Sequence, residues 1–183
     1  KAESMGLFKM DILGLRNLRM IDDAIRSIRK LHGVDVDLDD QSFDDPLVYR
    51  ALGRGDTSPL FQMEGPGMRD LLRRMRPTVF GDIVATQALY RPGPMGMDSH
   101  NLYADRKNGR IAVEPIHPDI ASLSTEQLSE TFGLITYQED VMNTLQAVAG
   151  FTRGEADLVR KAMGKKKRAE LDKARSKMES GMA

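Results

Sequence analysis

Two charged residues near the start of the chain have the types and spacing for phosphate chemistry. In "LFKMDILGLRNL", residues 7–18, Lys9 and Asp11 stand inside an otherwise apolar run. Burying a lone carboxylate costs several kcal/mol unless it is paired, hydrogen-bonded or bound to a metal. The period-2 alternation over residues 7–13 predicts a strand, with Phe8, Met10 and Ile12 on one face and Leu7, Lys9, Asp11 and Leu13 on the other. Lys9 and Asp11 would then lie roughly 6.6 Å apart on the same face, at a strand's ~3.3 Å rise per residue. One reading is a same-face salt bridge on an edge strand. The other is a metal-binding carboxylate beside a phosphate-binding lysine, since Mg²⁺ prefers carboxylate oxygens and substrate phosphates. A two-metal site needs at least one further carboxylate facing this strand, and no second acidic motif of this kind occurs. The pair is half a site.

A second constellation lies in "TRGEADLVRKAMGKKKR", residues 152–168. Thr152 and Glu155 form a capping-box pattern, and Ala156, Val159, Ala162 and Met163 form the expected packed stripe. Arg160 and Lys161 then fan out on another side. Arginine forks onto phosphate oxygens and lysine acts as a mobile point charge, which suits a triphosphate. Lys165, Lys166 and Lys167 could meet a nucleic-acid backbone, or form a solvated basic tail. Arg69, Arg73 and Arg76 share a face of the helix expected over 68–76, distinct from the stripe Met68, Leu71, Leu72 and Met75. That face carries a phosphodiester backbone or simply solubilises the helix. Arg91 in "YRPGP" is fixed between two stiff turns. Tyr137, Gln138 and Glu139 stand at a strand-to-helix joint that either presents side chains to a ligand or caps the helix.

The elements that would hold these groups are mainly helical. Helices are expected over about 18–31, 46–54, 68–76, 80–89, 138–149 and 152–163. An Asp22–Arg26 pair lies on the first of them. Gly53 and Gly55 are expected to break the second helix, and Gly150 to close the fifth. Short strands are expected at 7–13 and 133–137. Ser124 and Gln127 form another capping-box pattern, and residues 98–122 have the weakest structural signal.

The 27 basic and 27 acidic side chains cancel, so net charge does not mark a nucleic-acid binder. Charge is nonetheless zoned. Six aspartates and no base lie between Asp35 and Pro46, whereas Phe151–Ala183 holds ten Lys/Arg against five Asp/Glu. Without cysteine there is no disulfide and no cysteine-based zinc site, which suits a cytoplasmic location without requiring one. No apolar stretch approaches the ~18 residues of a membrane span. His32, His100 and His117 have no metal-ligand spacing, and no Walker loop, GxGxxG or GxSxG occurs. The chain starts at Lys1 and ends "KMESGMA" in what reads as a helix, so it is expected to be part of a longer protein.

In order, "ESMGLFKMDILGLRNL", "PLFQMEGPGMRDLL", "ALYRPGPM", "GLITYQEDVM" and "GEADLVRKAMGKKK" resemble the catalytic α subunit of bacterial DNA polymerase III, the C-family replicative polymerases. The resemblance runs from about residue 3 to at least residue 170. It implies an α+β arrangement, mainly α with minor β. Residues 1–16 would be the last catalytic strand of a nucleotidyltransferase-like palm, and 17–183 the first part of helical fingers. Asp11 matches the third catalytic aspartate, a metal ligand, and Lys9 a lysine near the incoming nucleotide's phosphates. Arg160 and Lys161 match a basic pair that contacts the triphosphate. The family often has arginine at both positions, and Lys161 lacks its bidentate fork.

The first two catalytic aspartates of the family are absent from this chain, as are the thumb, the PHP domain and the clamp-binding region. The implied reaction is primer extension from dNTPs on primer-template DNA with two Mg²⁺ ions, in a protein that also meets a sliding clamp and other replisome subunits, with no membrane partner. The fragment alone is expected to be inactive. Two alternatives are a non-catalytic helical module that binds nucleic acid or another subunit, and an error-prone paralogue of the α subunit. "EGPGMRDLL" looks more like the replicative form.

Overall fold

The protein was analysed as a computed structural model, which describes residues 5–8, 10–118, 121 and 126–181. It divides into two compact units after Ser42. Among the described residues no helix is long and apolar enough to cross a membrane.

The first unit holds α1, Arg16–His32. The Asp22–Arg26 pair forms as expected at 2.8 Å, and Gly33 closes the helix in the left-handed region at φ 68°. No residue of α1 is buried, so the stripe Leu18, Ile21 and Ile28 is exposed. The strand expected over 7–13 is not seen. Residues 7, 8 and 10–13 have no regular secondary structure, and Lys9 lies outside the described residues. Alternation selects a strand only when a neighbouring strand takes its hydrogen bonds. Among the described residues there is no strand at all, and 133–137 is likewise irregular.

In the second unit, α2 spans Pro46–Arg54 and α3 spans Pro66–Met75. Asp45 caps α2 by accepting from the Leu47 N–H at 2.8 Å, and proline opens both helices, where its missing N–H is harmless. Gly53 does not break α2. The helix ends at Gly55, whose φ of 75° suits glycine. α3 stops one residue short of Arg76, which is its left-handed cap at φ 47° ahead of Pro77. Met68, Leu71, Leu72 and Met75 are all buried, as their spacing predicts.

Next come α4 (Phe80–Leu89), a short α5 (Pro92–Gly96) over the "YRPGP" segment, and α6 (Ser99–Lys107). α6 corrects the expectation of weak structure after residue 98. Its local signal is poor, but distant partners stabilise it. The Asn108 amide donates to the Met75 carbonyl at 2.9 Å, and Arg74 forks onto Asp105 with Nε–Oδ1 3.1 Å and Nη2–Oδ2 2.6 Å. The nearly buried Lys107 ammonium pairs with Asp82 at 3.2 Å and donates to the Arg76 carbonyl at 3.0 Å. Tertiary contacts override propensity here. α3 packs on α2, and on α4 and α6 around Met75, Ala85, Leu89, Tyr103 and Ala104. Phe132 adds an edge-on contact to Tyr103 at 5.1 Å.

A 3₁₀ turn at Ser129–Thr131 leads to α7 (Gln138–Ala149), α8 (Arg153–Gly164) and α9 (Arg168–Gly181). These three pack on one another around Leu145, Ala149, Phe151 and Ala156. Gly150 closes α7 at φ 64°, and the Thr152–Glu155 box opens α8, both as expected. Of the box expected at 124–127, Ser124 lies outside the described residues. α4 and α7 begin alike. Asp82 accepts from the Thr78 and Val79 N–H groups at 2.7 and 3.2 Å, and Asp140 from the Thr136 and Tyr137 N–H groups at 2.8 and 2.7 Å.

Candidate functional site

The basic pair on α8 is built from the helix upward. Ala156 and Ala162 face the core, which leaves positions 157, 160 and 161 on another side. Spacing of three and four residues brings Asp157 under both cations. Arg160 Nη2 lies 2.7 Å from Asp157 Oδ1, and Lys161 Nζ lies 2.6 Å from Oδ2. These hydrogen bonds, the Lys161 bond foremost, hold the Asp157 carboxyl below the usual carboxylate range. Arg160 also reaches the first turn of α7, where its Nη1 donates to Gln138 Oε1 at 2.7 Å.

Beside this link lies a groove of about 330 Å³, with Ile135, Tyr137, Val141 and Met163 as apolar lining and Gln138 and Arg160 as its polar groups. Met163 is exposed, not packed as its helical spacing suggested, and serves as one wall. Burial and the nearby Asp140 raise the Tyr137 phenol's pKa, so it stays a neutral hydrogen-bonding group. An apolar slot edged by a guanidinium suits a flat organic group that carries an anion. Asp157 was missed in the sequence reading, although its i,i+3 and i,i+4 relation to two cations is legible there.

The other basic positions divide by what they touch. Arg69 Nη2 donates to Ser58 Oγ at 3.0 Å. Arg73 pairs with Asp70 at 2.7 Å and donates to the Arg54 carbonyl at 3.1 Å. Both therefore spend hydrogen bonds on holding α3 to the segment around α2. The shared arginine face expected over 69, 73 and 76 is not formed as such, because Arg76 is a cap and not a helical residue. Arg76, Arg91, Lys165 and Lys166 are exposed and make no ion pair among the described residues, while Lys167 pairs with Glu170 at 2.7 Å.

Asp11 is exposed, with Met10, Ile12 and Leu13 exposed around it. Its carboxylate therefore does not meet, within this unit, the desolvation that its apolar neighbours suggest. Among the described residues no group of three or more histidine, aspartate or glutamate side chains is arranged to hold a metal ion.

Two sequence motifs meet at close range. A methyl group at Gly67 of "EGPGMRDLL" would overlap the Tyr90 hydroxyl of "ALYRPGPM". Glycine at 67 thus leaves room for the end of the Tyr90 side chain, and its φ is outside the left-handed region.

Residues 17–183 match the family described as the bacterial DNA polymerase III alpha subunit finger domain. The chain is similar to DNA polymerase III subunit alpha of Mycobacterium leprae, with 56% identity over 180 residues that cover 98% of this chain and 15% of the relative. It is 45% identical over 179 residues to the subunit of the same description from Bacillus subtilis, covering 98% of this chain and 16% of the relative. With that of Aquifex aeolicus it shares 46% identity over 165 residues, 90% of this chain and 14% of the relative. The chain thus spans about 15% of the length of these curated relatives.

Proposed function

Because the chain belongs to the bacterial DNA polymerase III alpha subunit finger-domain family, we propose that it is the fingers segment of a replicative DNA polymerase, preceded over residues 1–16 by the end of the palm. The whole protein would extend a primer on template DNA: the primer 3′-hydroxyl attacks the α-phosphorus of a dNTP in line and pyrophosphate leaves. The observation that carries this reading is the α8 pair, Arg160 and Lys161, held on Asp157 in a chain of this family, with Arg160 lining an apolar slot.

In this role Arg160 forks onto triphosphate oxygens and Lys161 adds a point charge, each exchanging Asp157 for phosphate. Gln138 holds the guanidinium from α7 while that exchange takes place. Lys9 would contact nucleotide phosphates, as the family resemblance implies. Asp11 would hold Mg²⁺, which supplies charge neutralisation at the entering and leaving oxygens when bound. One carboxylate does not make a two-metal site, so the remaining ligands would come from outside this segment. Arg91 and Lys165–Lys167 would contact DNA backbone, and a sliding clamp and other replisome subunits would be partners of the whole protein.

The test is Arg160→Ala in the full-length protein. The dNTP KM should rise at least tenfold while primer-template affinity changes less than threefold. Equal losses in both would move Arg160 to a DNA-backbone role and remove the main support for the reading.

A further inference from the structure

A further groove lies elsewhere in the second unit. It has a volume of about 480 Å³, between α2 and the turn that follows α3. Arg50, Arg54 and Arg76 line it against one carboxylate, Asp44. Arg54 is tied to Asp56 at 2.8 Å, whereas Arg50 and Arg76 make no ion pair among the described residues. The root of Arg76 is fixed, since its N–H donates to the Leu72 carbonyl and its own carbonyl accepts from the nearly buried Lys107.

Two phenylalanines flank the lining residues of this groove in sequence. Phe43 directly precedes Asp44, and its carbonyl accepts from the hydroxyl of Tyr49, another lining residue. Phe80 follows the lining residue Thr78 by two positions. Their ring centroids are 4.9 Å apart at 37°, yet the two residues remain 57% and 49% exposed. Two exposed apolar rings next in sequence to the lining of a cationic groove offer a stacking surface close to groups suited to phosphate. That combination is how proteins hold single-stranded nucleic acid. A duplex keeps its bases stacked inside and offers only backbone, and an acidic peptide would use the arginines but not the rings.

We propose that this groove binds single-stranded DNA, with phosphates on Arg50 and Arg76 and a base on the outer face of the Phe43–Phe80 pair. The proposal rests on the polymerase reading, in which the ligand is the unpaired template beyond the primer terminus.

The experiment measures binding of the full-length protein to a 20-nucleotide oligothymidylate and to a blunt 20-base-pair duplex by fluorescence anisotropy across a salt series, with circular dichroism on each variant. Arg50→Glu should weaken oligothymidylate binding about tenfold and duplex binding no more than twofold, and it should reduce the salt slope for the single strand. Arg50→Lys should restore most of the affinity. Phe80→Leu should weaken single-strand binding at least threefold without changing the salt slope. Equal loss on duplex, loss at Arg50 with none at Phe80, or no loss at either would overturn the proposal. Wild-type protein that fails to extend a primer would instead overturn the polymerase reading, and the oligonucleotide comparison would still decide the groove.

Discussion

Arg160 and Gln138 form a bridge between α8 and α7: Nη1 donates to Oε1 at 2.7 Å across 22 residues of sequence, while Asp157 holds the rest of the guanidinium. The cation proposed for triphosphate is therefore placed by two elements. Gln138→Ala should raise the dNTP KM of the full-length protein about three- to tenfold with kcat changed less than twofold, and Gln138→Glu should retain most of the wild-type KM. A matched fall in kcat with unchanged KM would mean that Gln138 serves some other step.

Asp105 is held by Arg74 and by Arg110, whose Nη1 lies 2.8 Å from Oδ1, and these bonds bring its pKa down from 3.8 to about 2. A depressed carboxyl pKa stabilises the fold above the unfolded-state value and loses that contribution as pH falls toward the folded-state value. Asp105→Asn should lower Tm by about 2–4 °C at pH 7, corresponding to about 1 kcal/mol. The difference from wild type should shrink between pH 4 and pH 2. Thermal melts at pH 7, 4 and 2.5 test this, and a gap that widens in acid would contradict it.

Lys107 and Asp82 are a nearly buried ion pair, with side chains 9% and 6% exposed. Removing one partner strands the other charge. Lys107→Ala should destabilise the protein by about 3 kcal/mol in urea unfolding. Lys107→Met with Asp82→Asn should recover part of that loss. A loss below about 0.5 kcal/mol for Lys107→Ala would show that the pair is effectively solvated.

Gly67→Ala should cost about 1–3 kcal/mol, because the new methyl meets the Tyr90 hydroxyl. Tyr90→Phe removes that oxygen, so the double variant should be more stable than the sum of the two single changes predicts. Strict additivity in a double-mutant cycle would place the cause elsewhere.

Much of the helical frame can be read from sequence because its signals are local. Pro46, Pro66, Gly150 and the Thr152–Glu155 box sit within a turn of the boundaries they set, and the buried stripe of α3 follows from spacing alone. α6 was not legible, since Asn108, Lys107 and Asp105 gain their partners about 25 to 34 residues away. Strand pattern at 7–13 needs a partner strand that spacing cannot supply. Arg160 and Lys161 could be named from sequence, and Asp157 was within reach of the same helical rule. The link to Gln138 depends on how α7 packs against α8, and that is a tertiary fact.

The matched starts of α4 and α7 bear on the order of events during folding. Each aspartate closes its hydrogen bonds within four residues of chain, and closing so short a loop takes far less entropy than bringing α3 to α6 or α7 to α8. Such loops close in well under a microsecond. Asp82 and Asp140 thus fix where two helices begin through bonds to their own chain neighbours, whereas the contacts that dock α6 on α3 and α8 on α7 depend on distant partners.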